Sequence, residues 1–308
     1  MDDIRYLKHS EINKEMWDAC VINSTNGLIY ARSWYLDAMS PGWEALVHKD
    51  YIAVMPLTVC KKMGIQYLAQ PAFSQQLGII GPIDFPDDVV QKFISVATSK
   101  FSFLEINLNF KNEYVSGEEK CNLVLDLGKT FHQIKSGFRK DLVSKAVKAN
   151  LLMEETDDYK KALEFLRKSY SKNLPHVKDR HFKNLSEICE YLKKNSNLIV
   201  KKVFNQKGDL LATGLFFRDE KRIYYMMAAS LPEGRRLNAN AFLLHEIIKE
   251  FSGSKYIFDF EGSSVPSINF FFRKFNPVEE NYRFVRINNL PPVIKKIKLI
   301  VDKAKGFK

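Results

Sequence analysis

Two short stretches hold the residues whose types and spacing could run a reaction. In the first, Arg235-Arg236-Leu237-Asn238-Ala239-Asn240 stands at the head of a helical run, AFLLHEIIKEF. Guanidinium groups beside the unpaired N–H groups of a helix start make a place for a phosphate or similar anion. In the second, YIFDFEGSS ends a short apolar strand on Asp259 and Glu261. A carboxylate there can accept a proton as a general base. Alternation with Phe258 and Phe260 puts both acids on one face. Glu261 is the candidate for that role. The plain structural alternative is an acid near the next helix start, with Ser263 or Ser264 as the cap. Tyr224 and Tyr225 precede the basic loop, and the one facing the site would supply a proton. Paired aromatics on a strand more often build core.

The elements that must position these groups follow from pattern. RIYYMMAAS, from Arg222, is a β-favouring run, and LPEGRRLNAN reads as a polar loop. The helix after it places Leu244, Ile247, Ile248 and Phe251 on one stripe and His245, Glu246, Lys249 and Glu250 on another. SGSK turns the chain into YIFDF. The result is a βαβ-like unit. Its helix start and its second strand's end both carry the candidate chemistry.

The 308 residues suffice for two domains. No run is long and apolar enough to span a bilayer, and the acidic, polar start is not that of a secretory signal. Cys20, Cys60, Cys121 and Cys189 stand alone, which points to a reducing, cytoplasmic compartment. The six histidines show no metal spacing, and no Ser/His/Asp set can be assembled. His176 and His181 lie between helices, as surface histidines or as cleft-lining ones. The net charge of +11 is unevenly spread: residues 1–130 are net acidic, and residues 131–308 carry the whole excess of Lys and Arg. A basic second half suits a polyanion such as CoA, a nucleotide-linked sugar, tRNA or an anionic membrane.

Taken in order, residues 9–23 read as a helix capped by Ser10, and residues 31–39 as a second. A β-hairpin turns at His48-Lys49-Asp50. The loop PAFSQQLG follows, with Gln75 and Gln76 beside Phe73 as candidates for the wall of a substrate cleft. Residues 87–100 form a helix, and FSFLEINLNF and CNLVLDLG form strands. Residues 131–150 read as one basic connector helix: Ile134, Phe138, Leu142 and Ala146 face inward, and Lys135, Arg139 and Lys140 supply charge. After it come a strand, helices at 157–173 and 179–194, a three-strand meander, the βαβ-like unit, a helix from Pro266 to Phe275 and the strand ENYRFVRIN. The tail 290–308 is a basic amphipathic helix. It either docks on the protein or lies on an anionic membrane. The second half repeats the element order of the first without residue identity.

Three stretches resemble known families. The loop at Arg235–Asn240 is similar to the Gln/Arg-x-x-Gly-x-Gly/Ala motif that binds acyl-CoA pyrophosphate in the GNAT superfamily, with Asn238 and Asn240 in place of small residues. Arg139, Leu142, Lys145-Ala146 and Lys148 resemble the basic linker helix of the Fem-type peptidoglycan aminoacyltransferases. FDFEGSSVPSINFFFRKFN is similar to that family's Phe-Asp-Phe-x-Gly-Ser…Pro-Gly-x-x-x-Phe-Arg/Lys segment, with Ser267 for Gly and Asn276-Pro277 for its final turn. The resemblance implies an α/β (α+β) fold of two tandem GNAT-like lobes, 1–130 and 151–289, around connector 131–150. It implies acyl or aminoacyl transfer to an amine of a cell-envelope precursor or small metabolite, with no metal. The donor would be an acyl-CoA or an aminoacyl-tRNA, and Asn238 should make acetyl-CoA a poor one. Arg235, Arg236, Asn238 and Asn240 would hold the donor. Arg139 and Lys140, with Gln75 and Gln76, would hold a phosphate-bearing substrate in the cleft between lobes. Glu261, as general base or amine-binding group, and Tyr225, as proton donor, would serve the chemistry. A non-catalytic module of the same fold that binds an anionic ligand is the alternative. Either would be a monomer or a dimer.

Overall fold

The computed structural model describes residues 4–62, 64–82, 87–112, 115–170, 177–262 and 265–295. The chain divides into two units. One runs to Lys120 and resumes at Tyr282, and the other is Cys121–Asn281.

The first unit begins with β1 (Ile4–Leu7), α1 (Lys14–Asn23), α2 (Ser33–Met39), β2 (Glu44–His48) and β3 (Ala53–Leu57). It continues with β4 (Val59–Lys62), β5 (Ile65–Ala69), α3 (Asp87–Lys100), β6 (Phe103–Asn107) and β7 (Glu118–Lys120). Asn13, not Ser10, caps α1: its side chain accepts from the N–H groups of Glu15 and Met16. β2 and β3 form the expected hairpin, in a sheet ordered β1-β2-β3. α3 covers the sheet with Val90, Phe93, Ile94 and Ala97, the stripe its 3.6-residue spacing predicts.

The second unit carries β8 (Leu123–Asp126), α4 (Phe131–Ser136), α5 (Ser144–Lys148), β9 (Leu152–Glu155), α6 (Tyr159–Tyr170) and α7 (Asp179–Lys194). The meander is β10 (Leu198–Phe204), β11 (Leu210–Arg218) and β12 (Arg222–Ser230). After it come α8 (Pro232–Arg236), α9 (Ala239–Phe251), β13 (Ile257–Asp259), α10 (Pro266–Phe272) and β14 (Val278–Glu279). β15 (Tyr282–Asn288) then returns to the first unit.

The two units share one plan. In the first, β4 and β5 form an antiparallel hairpin, α3 crosses over, and β6 joins β5 in parallel through Leu68↔Leu104 and Ala69↔Glu105. In the second, β11 and β12 are antiparallel, α8 and α9 cross over, and β13 joins β12 in parallel. On the far side of β6 lies β15, from the chain's end, and on the far side of β13 lies β8, from its middle. Each unit therefore completes its sheet with a strand from the other half of the sequence. The lobe boundaries read from sequence put CNLVLDLG in the first lobe and YRFVRIN in the second. Strand pairing reverses both, because it depends on edge partners far apart in sequence.

The connector also differs from the single helix expected. α4 stops at Gly137, and α5 starts only at Ser144. A Cβ on Gly137 would lie 2.6 Å from Asn276 Nδ2. The Arg139 N–H donates to Lys274 O at 2.9 Å instead of continuing the helix. Ile134, Phe138, Leu142 and Ala146 are nonetheless all buried in the core of this unit. The apolar spacing was sound although the backbone between them turns. The tail beyond Lys295, which carries most of the amphipathic stripe, lies outside the described residues, as does His176.

Candidate functional site

The second unit opens at the end of its one parallel strand pair. β13 pairs with β12 only over Arg222↔Ile257, Ile223↔Phe258 and Tyr224↔Asp259. β12 runs on from Tyr225 to Ser230 with β11 on its other edge and no further β13 partner. Backbone groups on the vacated edge then need other partners. Tyr170, at the end of α6, supplies one. Its hydroxyl donates to Ala228 O at 3.1 Å and accepts from the Ala228 N–H at 3.4 Å.

Glu261 stands where β13 turns away. Its backbone is left-handed, with φ +61°. The strand ends at Asp259, so the alternation that put both acids on one face does not reach it. Its N–H donates to Asp259 Oδ1 at 2.9 Å. Gly262 follows with φ +49°, and a Cβ there would lie 2.2 Å from Cys121 O. The turn therefore needs glycine for both its dihedral and its space. The Glu261 side chain keeps some surface, yet protein packs around its carboxyl. That desolvation pushes its pKa up to about 8.

Asp259 has a structural role. It is buried, and its Oδ2 accepts from Arg222 Nη1 at 2.9 Å and from Asn122 Nδ2 at 3.3 Å. Arg222 also forms a forked pair with Glu280, at 2.7 and 2.9 Å. Burial opposes the Arg222 charge, and the two carboxylates more than offset it. The network ties the start of β12, the last residue of β13 and the segment after β14 along the length of the pair.

Tyr225 is the first β12 residue past the last rung. Its ring is enclosed by Phe216 at 5.3 Å, Phe272 at 5.8 Å and Phe258 at 6.5 Å. Burial drives its phenol far above the ordinary range, so it stays protonated. The Tyr224 hydroxyl donates to Asp219 at 2.6 Å and ties β12 to the turn before it.

The basic stretch is not the loop expected. Pro232 opens α8, where a missing N–H costs nothing. Arg236 Nε pairs with Glu233 at 2.9 Å one turn back, so Arg236 stabilises α8. Arg235 is exposed, and its Nη1 donates to Ser230 O at 2.7 Å. Asn238 is left-handed at φ 59° and starts α9 without a side-chain cap. It fills the backbone role that glycine fills in the motif it resembles. Asn240 Oδ1 and Ser230 Oγ, either side of α8, are buried with no hydrogen-bond partner among the described residues. Such atoms are rare in native structures and mark places where a ligand or water belongs.

Because β12 and β13 are parallel, Glu261 and the α9 start lie at the same end of the sheet. The other nominated residues do not join them. Arg139 and Lys140 line a cavity of about 400 Å³ with Lys135 and His245. Gln76 is fully buried in the first unit. Its Nε2 donates to Gln75 Oε1 at 2.7 Å, and its Oε1 accepts from the Phe110 N–H at 2.9 Å. Those amides hold their own loop to the end of β6, which overturns a role for Gln76 in a cleft wall. Among the described residues no group of His, Cys, Asp and Glu is placed to hold a metal ion. None of the described helices is long and apolar enough to cross a membrane. Sequence reasoning missed Tyr170 as a partner of β12: it read there only as an inward aromatic of α6, with no signal for a bond across 58 positions.

No family model and no curated protein matches this sequence. Solved structures do. The chain is similar to FemX, at 12% identity and a TM-score of 0.66, over 92% of this chain and 98% of that one. It is similar to a conserved protein of unknown function from Bacteroides thetaiotaomicron, at 10% identity and a TM-score of 0.55, over 88% and 96%. It is also similar to the C-terminal domain of a candidate lysylphosphatidylglycerol synthetase from Agrobacterium fabrum, at 11% identity and a TM-score of 0.54, over 90% and 92%. The chain thus has the FemAB-like, GNAT-type α/β fold that its motifs resemble. At these identities the likeness is one of fold.

Proposed function

We propose that this protein transfers an acyl or aminoacyl group to an amine, using the open end of the β12–β13 pair. The observation that carries this reading is Glu261: a carboxyl with pKa raised to about 8, where two parallel strands part. A base in that range is matched to an amine that must lose its proton to attack. The amine nitrogen attacks the donor's carbonyl carbon, and Glu261 takes the amine proton. The thioester or ester bond breaks, and the leaving sulfur or oxygen takes a proton. Tyr225, protonated and next to the last rung, is the group we assign to that second transfer.

The donor's phosphate-bearing end would meet the first N–H groups of α9, with Arg235 beside it and the unpartnered Ser230 hydroxyl able to donate to it, while Asn240 Oδ1 would accept from a hydroxyl or amino group elsewhere on the donor. Asn238 has the left-handed backbone the turn requires but keeps a side chain where glycine lets a pyrophosphate close in. We therefore assign a donor other than acetyl-CoA: an aminoacyl-tRNA, or a bulkier acyl-CoA whose acyl chain adds contacts that offset the weakened pyrophosphate site. The acceptor would be an amine of a cell-envelope precursor or a small metabolite, in a cytoplasmic enzyme.

The test is a transfer assay with acyl-CoA and aminoacyl-tRNA donors against a panel of amines, on the wild-type protein and Glu261→Gln. Turnover with at least one donor, falling about 10²–10⁴-fold in the variant, supports the reading. Asn238 favours a second reading, a non-catalytic module of this fold that binds an anionic ligand. It predicts donor binding without turnover, equal in both proteins.

A further inference from the structure

One side chain already holds the middle of the β12 edge that β13 leaves. The parallel pairing ends at Tyr224, and a bulge follows at once. Phe216 pairs with Tyr225 and Leu215 with Met227, so Met226 has no partner on β11. A bulge bends and twists its strand, which turns the rest of β12 from the line of β13. Past it, Ala228 and Ser230 show their backbone groups to the same edge, because that direction repeats every second residue. Both are claimed by side chains from outside the sheet. Ser230 O accepts from Arg235 Nη1 at 2.7 Å. The Tyr170 hydroxyl donates to Ala228 O at 3.1 Å and accepts from the Ala228 N–H at 3.4 Å.

Tyr170 thus covers with one oxygen what a neighbouring strand would cover with an N–H and a carbonyl. A single atom straddling two groups cannot sit well on either. Both bonds are longer than the usual hydroxyl-to-carbonyl and amide-to-oxygen distances, so both are weak. Burial raises the Tyr170 phenol above its ordinary range, and the hydroxyl keeps the proton it donates. Ala162, Leu163 and Leu166 fix α6 in the core, while Tyr170, its last residue, keeps some surface. Rotation about its side-chain bonds alone lifts the hydroxyl off the edge. The contact satisfies Ala228 when the site is empty and is cheap to displace.

We infer that Tyr170 is a specificity-determining residue that sorts donors by the chain they carry. The inference rests on the transferase reading and extends it to donor class. The Tyr170 hydroxyl stands where an extended, amide-bearing chain would pair with Ala228 in the manner of an added strand. A coenzyme A thioester presents its acyl group on such a chain, the pantetheine arm, and must displace Tyr170 to pair. An aminoacyl ester on a ribose has no such arm, and nothing in it competes for Ala228. Tyr170 therefore disfavours the first class and is neutral to the second. The effect is the same for every acyl-CoA, whatever its acyl length. Asn238 acts on the pyrophosphate end instead, so the two residues are separable.

The experiment is isothermal titration of the full chain with CoA and with adenosine 3′-phosphate 5′-diphosphate, the same molecule without the arm. Wild-type protein should bind the two within about threefold of each other, because the arm gains little. Tyr170→Ala should bind CoA about tenfold or more tighter, the scale of one or two net hydrogen bonds, with the fragment unchanged. Tyr170→Phe removes the hydroxyl and keeps the ring, and should give a smaller gain in the same direction. Amide exchange at Ala228 should be faster in both variants than in wild type, and CoA should slow it again in Tyr170→Ala. Unchanged or absent CoA binding in Tyr170→Ala, an equal gain by the fragment, or unchanged exchange at Ala228 would overturn the role of Tyr170. A gain in CoA affinity with no turnover by any donor would uphold it and fail the transferase reading. Turnover with CoA affinity unmoved by either variant would do the reverse.

Discussion

The Glu261 N–H donates to Asp259 Oδ1 at 2.9 Å, and the other oxygen of Asp259 accepts from Arg222 at the same distance. One carboxylate therefore anchors both the buried ion pair and the left-handed turn that presents Glu261. Removing it leaves Arg222 buried with Glu280 alone. Breaking a buried pair in this way costs about 3–5 kcal/mol, and the surviving Glu280 fork should hold the loss to the lower part of that range. Asp259→Ala should show this in denaturant unfolding, with a larger loss of turnover than its residual folded fraction explains. Wild-type stability in Asp259→Ala would remove the anchor from the account.

Glu261 also gives stability a pH signature. Its carboxyl stays neutral in the folded protein up to about pH 8, whereas in the unfolded chain it ionises around the usual 4.5. Between pH 4.5 and about 8 the folded state holds a proton that the unfolded state has lost. This group's contribution to stability therefore falls as pH rises from about 4.5 to about 8, and is level above that. Glu261→Gln should flatten this fall, and so gain stability relative to wild type at pH 8 over pH 4.5. Parallel curves for the two proteins would show that the carboxyl is not held neutral by the fold.

Gly262 is the narrowest point of the turn. Gly262→Ala combines a left-handed alanine, worth roughly 1–2 kcal/mol, with a Cβ placed 2.2 Å from Cys121 O. We expect destabilisation of at least that size, together with loss of activity as Glu261 is displaced. A fully active, stable Gly262→Ala protein would mean that Glu261 needs no such placement.

Asn238 separates backbone from side-chain effects. At φ 59°, Asn238→Gly should fold at least as well as wild type, and Asn238→Ala should lose about 1 kcal/mol. The glycine variant should also bind acetyl-CoA more tightly, because the backbone approach opens. Tight acetyl-CoA binding by the wild-type protein would refute this and restore an ordinary acetyltransferase.

Periodicity made most of the elements legible. α3, α7, the β10–β12 meander and the β12–α9–β13 crossover stand where the sequence puts them, because each has a strong apolar stripe or alternation. Two kinds of feature were hidden. Edge pairing was one: nothing in CNLVLDLG or YRFVRIN says which sheet takes it. Distant hydrogen-bond partners were the other. Gln75 and Gln76 look available in sequence, yet the Phe110 N–H beyond β6 claims Gln76, and Arg222 looks like a strand terminus, yet it anchors Asp259. At the candidate site Glu261 and Asn238 were legible from their position after a strand and before a helix. Tyr170 was not, because its partner is the backbone of another element.

The claim that an acyl donor enters at the open end of β12 is tested most directly by amide hydrogen exchange of the full chain, with acyl-CoAs of increasing length and with aminoacyl-tRNA. At least one donor should slow exchange in residues 225–230 and 238–242, and the effect should weaken in Arg235→Ala. Protection confined to residues 132–143, or none with any donor, would contradict it.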